Sequence, residues 1–496
     1  MATPIAPNRA SFDAAAVAHA TGGRVVRAKA GRVATGFTTD SQAVVAGSAF
    51  VALRGETHDG HGFVGAAVVA GAALVVVERG RAPDETSVDV VEVEDTLAAW
   101  GAIAQAHLAA WRSGRPDARV VAITGSAGKT TTKELCAALL RTVGPVHATA
   151  GNLNNRVGVP AVLLQLDAGH RFAVVEVGMS VPGEIAALAA LVAPDVAVVT
   201  NVGLAHAGGV GGRLEDVARE KGALFAGLRA GGVAVANADD AAVMGETRRV
   251  PAGTRVATFG GRSSTPGRAG GDAVAYRLAS REPLGLDGSR LTVDRPGGEP
   301  VSLVLPIPGE AAAIDLVAAL AAAEAAAAGP VDAAGAMRAL GPIAGRMHVR
   351  RGHGITVLDD AYNANPGSMR AALGTLAECP GSRRVAVLGE MRELGPAGPR
   401  EHAVLGDAVA DAGVSLLVSC GGMADAIADA ARARGVDAVK AHDAAEAARV
   451  VAGRVLPGDV VLVKASRSVG AERVVAALLD SPEIARDAPA PLEGAR

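Results

Sequence analysis

The sequence predicts an α/β protein of three domains. These are a small α/β domain over residues 1–98, a central parallel-sheet ATPase-type domain over 99–340 and a Rossmann-like domain over 341–496. Three observations predict this. The 496 residues leave room for about three domains of ordinary size. From residue 99 to the tail, apolar strands alternate with helical stretches, the pattern of parallel sheets covered by helices. At 120–133 a glycine loop stands between an apolar strand and a helix.

Composition narrows the function classes. Half of the residues are hydrophobic and 20% are charged, so packed cores are expected. Aromatics at 2% and a net charge of −3 argue against nucleic-acid and anionic-membrane partners. Cys136, Cys379 and Cys420 form no CxxC pair, which points away from a disulfide framework or zinc site and towards a reducing, cytoplasmic setting. No signal peptide is expected, because the N-terminus lacks a basic start followed by an apolar run. The apolar stretch 311–329 carries Asp315 and Glu324, which suits a buried helix better than membrane insertion. Only six of the 48 basic residues are lysines (Lys29, Lys129, Lys133, Lys221, Lys440 and Lys464). Where arginine serves as the general cation, a retained lysine is a functional candidate.

Taken in order, 49–53 and 73–77 read as strands and 64–70 as a helix. The polar stretches Thr38–Ser41 and Gly55–His61 read as binding loops or surface turns. In the central domain a helix near 96–111 precedes strands at 119–124, 172–177, 196–201 and 232–237. Helices are expected at 129–142 and 215–228, a flexible loop at 262–272 and short β pieces at 274–305. Strands at 355–359, 384–388, 415–419, 438–441 and 460–464 give the third domain its doubly wound pattern. It has no GxGxxG after its first strand, so dinucleotide binding is not indicated. The tail from Asp480 reads as frayed.

The run Gly125-Ser126-Ala127-Gly128-Lys129-Thr130-Thr131 is the strongest local signal. A helix opening behind a glycine turn offers backbone N–H groups and a positive dipole end to an anion. Lys129 can reach the β- and γ-phosphates of ATP, and the Thr130 hydroxyl can serve Mg²⁺. The loop is two residues shorter than GxxxxGK[ST]. Glu176 ends a strand, His206 follows another and Lys221 lies in a helix. Strand ends in a parallel sheet face one crevice, so these three can join the phosphate loop. Singly, each also fits a bland role as cap, loop residue or solvated partner.

With these residues in view, the chain resembles the Mur ligases of bacterial cell-wall synthesis along nearly its whole length. The resemblance rests on TGSAGKTTTKE (124–134), GNLNNRVGVP (151–160), VVEVGMSVPGEI (174–185), TNVGLAHAGGVGG (200–212), LDDAYNANPGSM (358–369), VLGEMRELG (387–395) and VKASRSVGAERV (463–474). The Asp-Asp-x-Tyr-Asn-Ala-Asn-Pro and Gly-Glu-Met-x-Glu-Leu-Gly runs resemble the branch that adds D-alanyl-D-alanine, and the Asp-Asn-Pro-Arg string of the tripeptide-forming branch is absent. Thr38–Phe63 is similar to the UDP-binding domain of that branch.

The resemblance implies ATP-dependent amide formation through an acyl phosphate, with UDP-N-acetylmuramoyl-tripeptide and D-alanyl-D-alanine as substrates. It implies two Mg²⁺ ions, one served by Thr130 and Glu176 and the other by His206 and Lys221. A lysine ammonium has no lone pair for a metal, and the family meets this by carbamylating it with CO₂. Asn154 and Asn155 are implied contacts to the muramoyl peptide, Asp40 and Ser41 to the UDP part, Arg346 and Asp360 to the nucleotide, and Tyr362, Asn363 and Asn365 to the incoming amine. A monomer is expected. Because one site draws on three domains, hinge closure is expected, with Arg346 standing off from the phosphate loop before ligands bind.

The chain departs from the family at three places. Where His-Asn-x-x-Asn is usual, it reads Ala311-Ala312-Ala313-Ile314-Asp315, so side-chain amides for adenine are missing. Gln42 replaces an arginine after Asp40-Ser41, and Ala223 replaces a glutamate after Lys221-Gly222. The competing readings are a ligase with another acceptor (the tripeptide-forming or folate-type enzymes), a P-loop kinase or GTP switch, and an inactive nucleotide-binding scaffold. No Asn-Lys-x-Asp string for guanine is present.

Overall fold

A computed structural model describes residues 3–55, 58–84, 87–205, 207–261, 274–381 and 383–480. The loop expected at 262–272 and the tail after Asp480 lie outside the described residues.

The central sheet has nine strands, and its order explains where a ligand goes. Strand Arg119–Thr124 lies between Phe172–Glu176 and Val196–Val199, parallel to both. Val146–Ala148 closes one edge, while Val233–Asn237, Arg255–Gly260 and an antiparallel run of three strands up to Val301–Leu305 extend the other side. The chain thus leaves Arg119–Thr124 in opposite directions, and the crevice at such a switch point lies beyond the C-terminal strand ends. These strands are apolar almost throughout because both faces are covered. Alternate residues divide between two cores. Val120, Ala122, Ala173 and Val175 pack with helices Thr96–Gly114, Gly158–Leu164, Glu184–Val192 and Leu214–Ala226. Val121, Ile123, Phe172 and Val174 pack with helices Lys129–Arg141, Glu310–Ala327 and Ala333–Arg338. The alanine-rich stretch is therefore a core helix, and its small side chains let it lie close against Lys129–Arg141. Among the described residues no helix is long and apolar enough to cross a membrane.

The first sheet orders Arg24–Arg27, Asp89–Val93, Leu74–Glu78, Ala49–Val51 and Phe37–Thr38. One face shares a continuous apolar core with the central sheet through helix Thr96–Gly114. The expected border at 98/99 falls inside that helix. The third sheet orders His348–Gly352, Ile355–Asp359, Asp459–Lys464, Arg383–Gly389, Val414–Cys420 and Asp437–Ala441, parallel except for its first pair. The last strand of the chain inserts between Ile355–Asp359 and Arg383–Gly389, which brings Asp360 and Lys464 to one end of the sheet.

Candidate active site

The phosphate loop follows strand Arg119–Thr124 and opens helix Lys129–Arg141. Two glycines are dictated by space. A β-carbon at Gly125 would lie 1.8 Å from Thr200 Oγ1, and one at Gly128, where φ is +78°, would lie 2.2 Å from Asp315 Oδ1. The loop is clamped by Asn201 and Thr200, which sequence reasoning left without a role. Asn201 accepts from Ser126 N at 3.0 Å through its carbonyl and from Ala127 N at 2.8 Å through Oδ1. Asn201 Nδ2 and Thr200 Oγ1 both donate to the Ala127 carbonyl. Ser126 Oγ donates to Gly203 O at 2.9 Å. The Ser126 and Ala127 amides are thus spent on holding the loop. The amides that open the helix, from Gly128 onward, are the ones without intrahelical acceptors, and Thr131 lines the cleft beside them.

The Thr130 hydroxyl donates to Glu176 Oε2 at 2.8 Å, and Asn154 Nδ2 donates to the other oxygen, Oε1, at 2.8 Å. Asn154 therefore orients Glu176. Asn155 does something else: its Oδ1 accepts from Val157 N and Gly158 N and closes the turn that leads into helix Gly158–Leu164. Lys129 Nζ donates to the Gly125 carbonyl at 2.8 Å, and Lys221 Nζ reaches the same carbonyl at 3.1 Å. Two lysine nitrogens thus share one oxygen. Burial pushes Lys221 well below the usual lysine range, and the adjacent Lys129 charge pushes the same way. Lys129 is lowered too, mainly by burial, with Glu176 offsetting part of it. His206 lies outside the described residues.

From the third domain, Arg346 Nη2 donates to Thr130 Oγ1 at 3.1 Å, and Asn365 Nδ2 donates to Ser126 O at 3.1 Å. The stand-off expected for Arg346 is thus not the arrangement observed. An ion pair between Arg281 and Glu378 (2.9 Å) and the packing of Leu204 and Leu286 on the third-domain core hold the domains together. Arg346 stacks on Tyr362 at 4.2 Å, and Arg467 lies over the same ring at 4.8 Å. Asn365 also caps helix Pro366–Glu378. Asp360 Oδ2 receives Lys464 Nζ at 2.6 Å, and the same ammonium donates to Asn363 O at 3.0 Å. Lys464 was in hand as one of six lysines, yet its partner lies 104 residues away. In the first domain, Asp40 accepts from Gln42 N and caps the turn Ser41–Ala43. His61 places one ring nitrogen on Asp59 at 2.6 Å and accepts from Glu78 N at the other, so it organises this loop.

The phosphate-loop residues 126–131 line a cleft of about 530 Å³ together with Ile307, Pro308, Ala311, Ala312 and Asp315 on one side and Arg346, Asp360, Asn363, Asn365 and Lys464 on the other. Triphosphate, apolar ring and third-domain cations can thus meet in one crevice.

Residues 123–323 match the Mur ligase middle domain, 345–467 the Mur ligase glutamate ligase domain and 33–108 the Mur ligase family catalytic domain. The chain belongs to the Mur ligase family, whose members are ATP-dependent amide-bond ligases. It is 37% identical over 441 residues to a UDP-N-acetylmuramoyl-tripeptide–D-alanyl-D-alanine ligase of Synechocystis, covering 89% of this chain and 91% of that one. The ligase of the same name from Escherichia coli is 37% identical over 450 residues, covering 90% and 93%. Among solved structures, MurF of Acinetobacter baumannii superposes with a TM-score of 0.83 at 29% identity, over 97% of this chain and all of that one. MurF ligase of Thermotoga maritima in complex with ADP gives 0.77 at 28% identity, over 91% and 98%.

Proposed function

We propose that the protein is the ATP-dependent ligase that joins D-alanyl-D-alanine to UDP-N-acetylmuramoyl-tripeptide in peptidoglycan precursor synthesis. One observation carries the reading. Lys129, Thr130, Glu176 and Arg346 converge at a phosphate loop in a chain that matches ligases of this name along nine tenths of its length. The setting we propose is the cytoplasm, where the precursor is made, with the three sheets acting as three domains (1–98, 99–340 and 341–496).

The terminal carboxylate of the tripeptide attacks the γ-phosphorus, the bond to the β-phosphate oxygen breaks and ADP leaves. The amine of D-alanyl-D-alanine then attacks the acyl carbon, loses a proton, and inorganic phosphate departs. The helix-opening amides from Gly128 onward and Lys129 are positioned to cradle the phosphates. Arg346 has a buried Nε with no acceptor among the described residues, a donor free for an incoming oxyanion.

The hydroxyl of Thr130 beside the Glu176 carboxylate is a hard oxygen pair that suits Mg²⁺, which takes few protein ligands and completes its shell with phosphate and water. Bound there, Mg²⁺ would neutralise charge on the transferring phosphoryl group. His206 and Lys221 would hold a second ion. Lys221 has no carboxylate at ion-pair distance among the described residues, and burial shifts it well below the usual lysine range, towards the neutral, nucleophilic amine. A neutral amine adds CO₂ to give a carbamate and a proton, and the carbamate supplies the oxygen that a metal needs. The test is phosphate release from ATP. It requires both the UDP-tripeptide and D-alanyl-D-alanine, and release with either alone, or with neither, would overturn the reading.

A further inference from the structure

One carboxyl group in the nucleotide cleft has no part in the chemistry above. Asp315 stands four residues after Ala311 on helix Glu310–Ala327, so both look into the cleft from the same face. Its Oδ1 abuts Gly128 in the phosphate loop itself. A carboxylate in that place would face the phosphates of any bound nucleotide.

The charged groups around it have other partners, and Arg346 keeps its buried Nε unpaired among the described residues. On helix Lys129–Arg141, Lys129 is held by the Gly125 carbonyl, and Lys133 by the Thr149 carbonyl and Glu134. Arg346 is turned to Thr130. On helix Pro366–Glu378, Arg370 faces Glu401 at 3.5 Å. Lys464 is taken by Asp360. After strand Val233–Asn237, Asp239 accepts from Gly261 N beside Ile314. Glu310, five residues before Asp315 on the same helix, does not line the cleft. Among the described residues no cation lies within ion-pair distance of Asp315. Asp315 is half-buried in the cleft wall, and loss of solvent there pushes the carboxyl up to about 8 against the smaller pulls of the Thr132 hydroxyl and Arg346.

We propose that Asp315 binds the nucleotide as a neutral carboxylic acid, so that ATP binding takes up one proton wherever Asp315 would otherwise be ionised. As an acid it carries a donor and an acceptor side by side, as a side-chain amide does. The balance is Asp315 carboxylate plus H⁺ plus ATP giving the protonated acid with ATP bound, and no covalent bond to ATP changes. The inference rests on the ATP reading of this cleft. Below pH 8 the proton is already present and affinity is flat. Above it the proton must be supplied, and affinity falls towards roughly tenfold per pH unit.

Calorimetric titration of the full-length protein with ATP and Mg²⁺, in two buffers of different ionisation enthalpy, reads the proton directly. At pH 9 the wild type takes up close to one proton per ATP and binds roughly tenfold more weakly than at pH 7. Asp315→Asn keeps the donor–acceptor pair without a titrating group, and it binds with no uptake and little change in affinity across that range. Equal heats in the two buffers for the wild type at pH 9, or the same uptake in Asp315→Asn, overturn the proposal while leaving ATP binding at pH 7 intact. No ATP binding at pH 7 overturns the ATP reading and the proposal with it. The wild-type measurement needs no variant, so a folding defect in Asp315→Asn does not blunt the test.

Discussion

Lys221 in the central domain and Lys464 in the third are 1% and 2% exposed, yet their neighbours differ in kind. Lys464 meets a carboxylate, Asp360 Oδ2, at 2.6 Å. Lys221 meets a peptide carbonyl at 3.1 Å and the positive Lys129 nearby. Burial lowers both, but Asp360 offsets part of it at Lys464, whereas at Lys221 Lys129 adds to it and only the smaller pull of Glu220 opposes. A buried lysine with a carboxylate is a strut. A buried lysine without one is shifted towards the neutral amine. On the proposed reading, the difference separates a group that holds the third domain's end of the cleft from one that would carry the carbamate.

The largest effect that sharpens this contrast is at Lys221. Lys221→Ala should lose most turnover, on the order of 10³-fold, by analogy with removal of a key electrostatic group. Added short carboxylic acids should restore part of it by supplying the missing oxygen. Unchanged turnover in the variant would break the contrast at once.

At Lys464 the expected loss is in stability. Lys464→Met strands the buried Asp360 charge at a cost of about 3–5 kcal/mol. Adding Asp360→Asn should recover most of that, measured by denaturant unfolding. An additive pair of losses would mean that the two residues do not act as an ion pair.

Smaller effects are expected at the oxygen pair. Glu176→Gln and Thr130→Val should each raise the Mg²⁺ concentration needed for half-maximal rate by roughly 10–100-fold. ATP binding at saturating metal should be affected less. A loss that no metal concentration restores would assign these residues another role.

The smallest concerns pH and stability at Asp315. Its folded pKa, about 8, lies above the unfolded value of 3.8, so between these the native state binds the extra proton and stability falls as pH rises. Asp315→Asn removes that slope. Its melting temperature should exceed that of the wild type by a few degrees at pH 9 and match it near pH 4, as scanning calorimetry would read. The apolar base wall at Ala311 and Ala312 also predicts weaker discrimination of ATP from GTP than an amide-lined pocket gives, by about 1–3 kcal/mol per unpaired polar group. The ratio of kcat/KM for the two nucleotides measures it.

What could be read from the chain alone follows the same physics. Strands Arg119–Thr124 and Ile355–Asp359 are legible to the residue because they are short runs dominated by valine, isoleucine and leucine. Val146–Ala148, Arg24–Arg27 and His348–Gly352 were not, since edge strands with one open side carry histidine and arginine and lack a clear period. The phosphate loop is contiguous and was legible. The Asn201 clamp and the Asp360–Lys464 pair join residues 74 and 104 apart, and sequence spacing gives no hint of such pairings. Asn155 and Asn365 show the converse, because their motif positions are clear while the structure uses the first side chain to close a turn and the second as a helix cap.

The central claim is that isolation from carboxylates, and not burial alone, makes Lys221 reactive. Carbon-13 NMR of the protein equilibrated with labelled bicarbonate tests it most directly. The account predicts one carbamate signal that disappears in Lys221→Ala and persists in the Lys464→Met/Asp360→Asn double variant. A wild-type spectrum without a carbamate carbon, or a signal that survives Lys221→Ala, would contradict it.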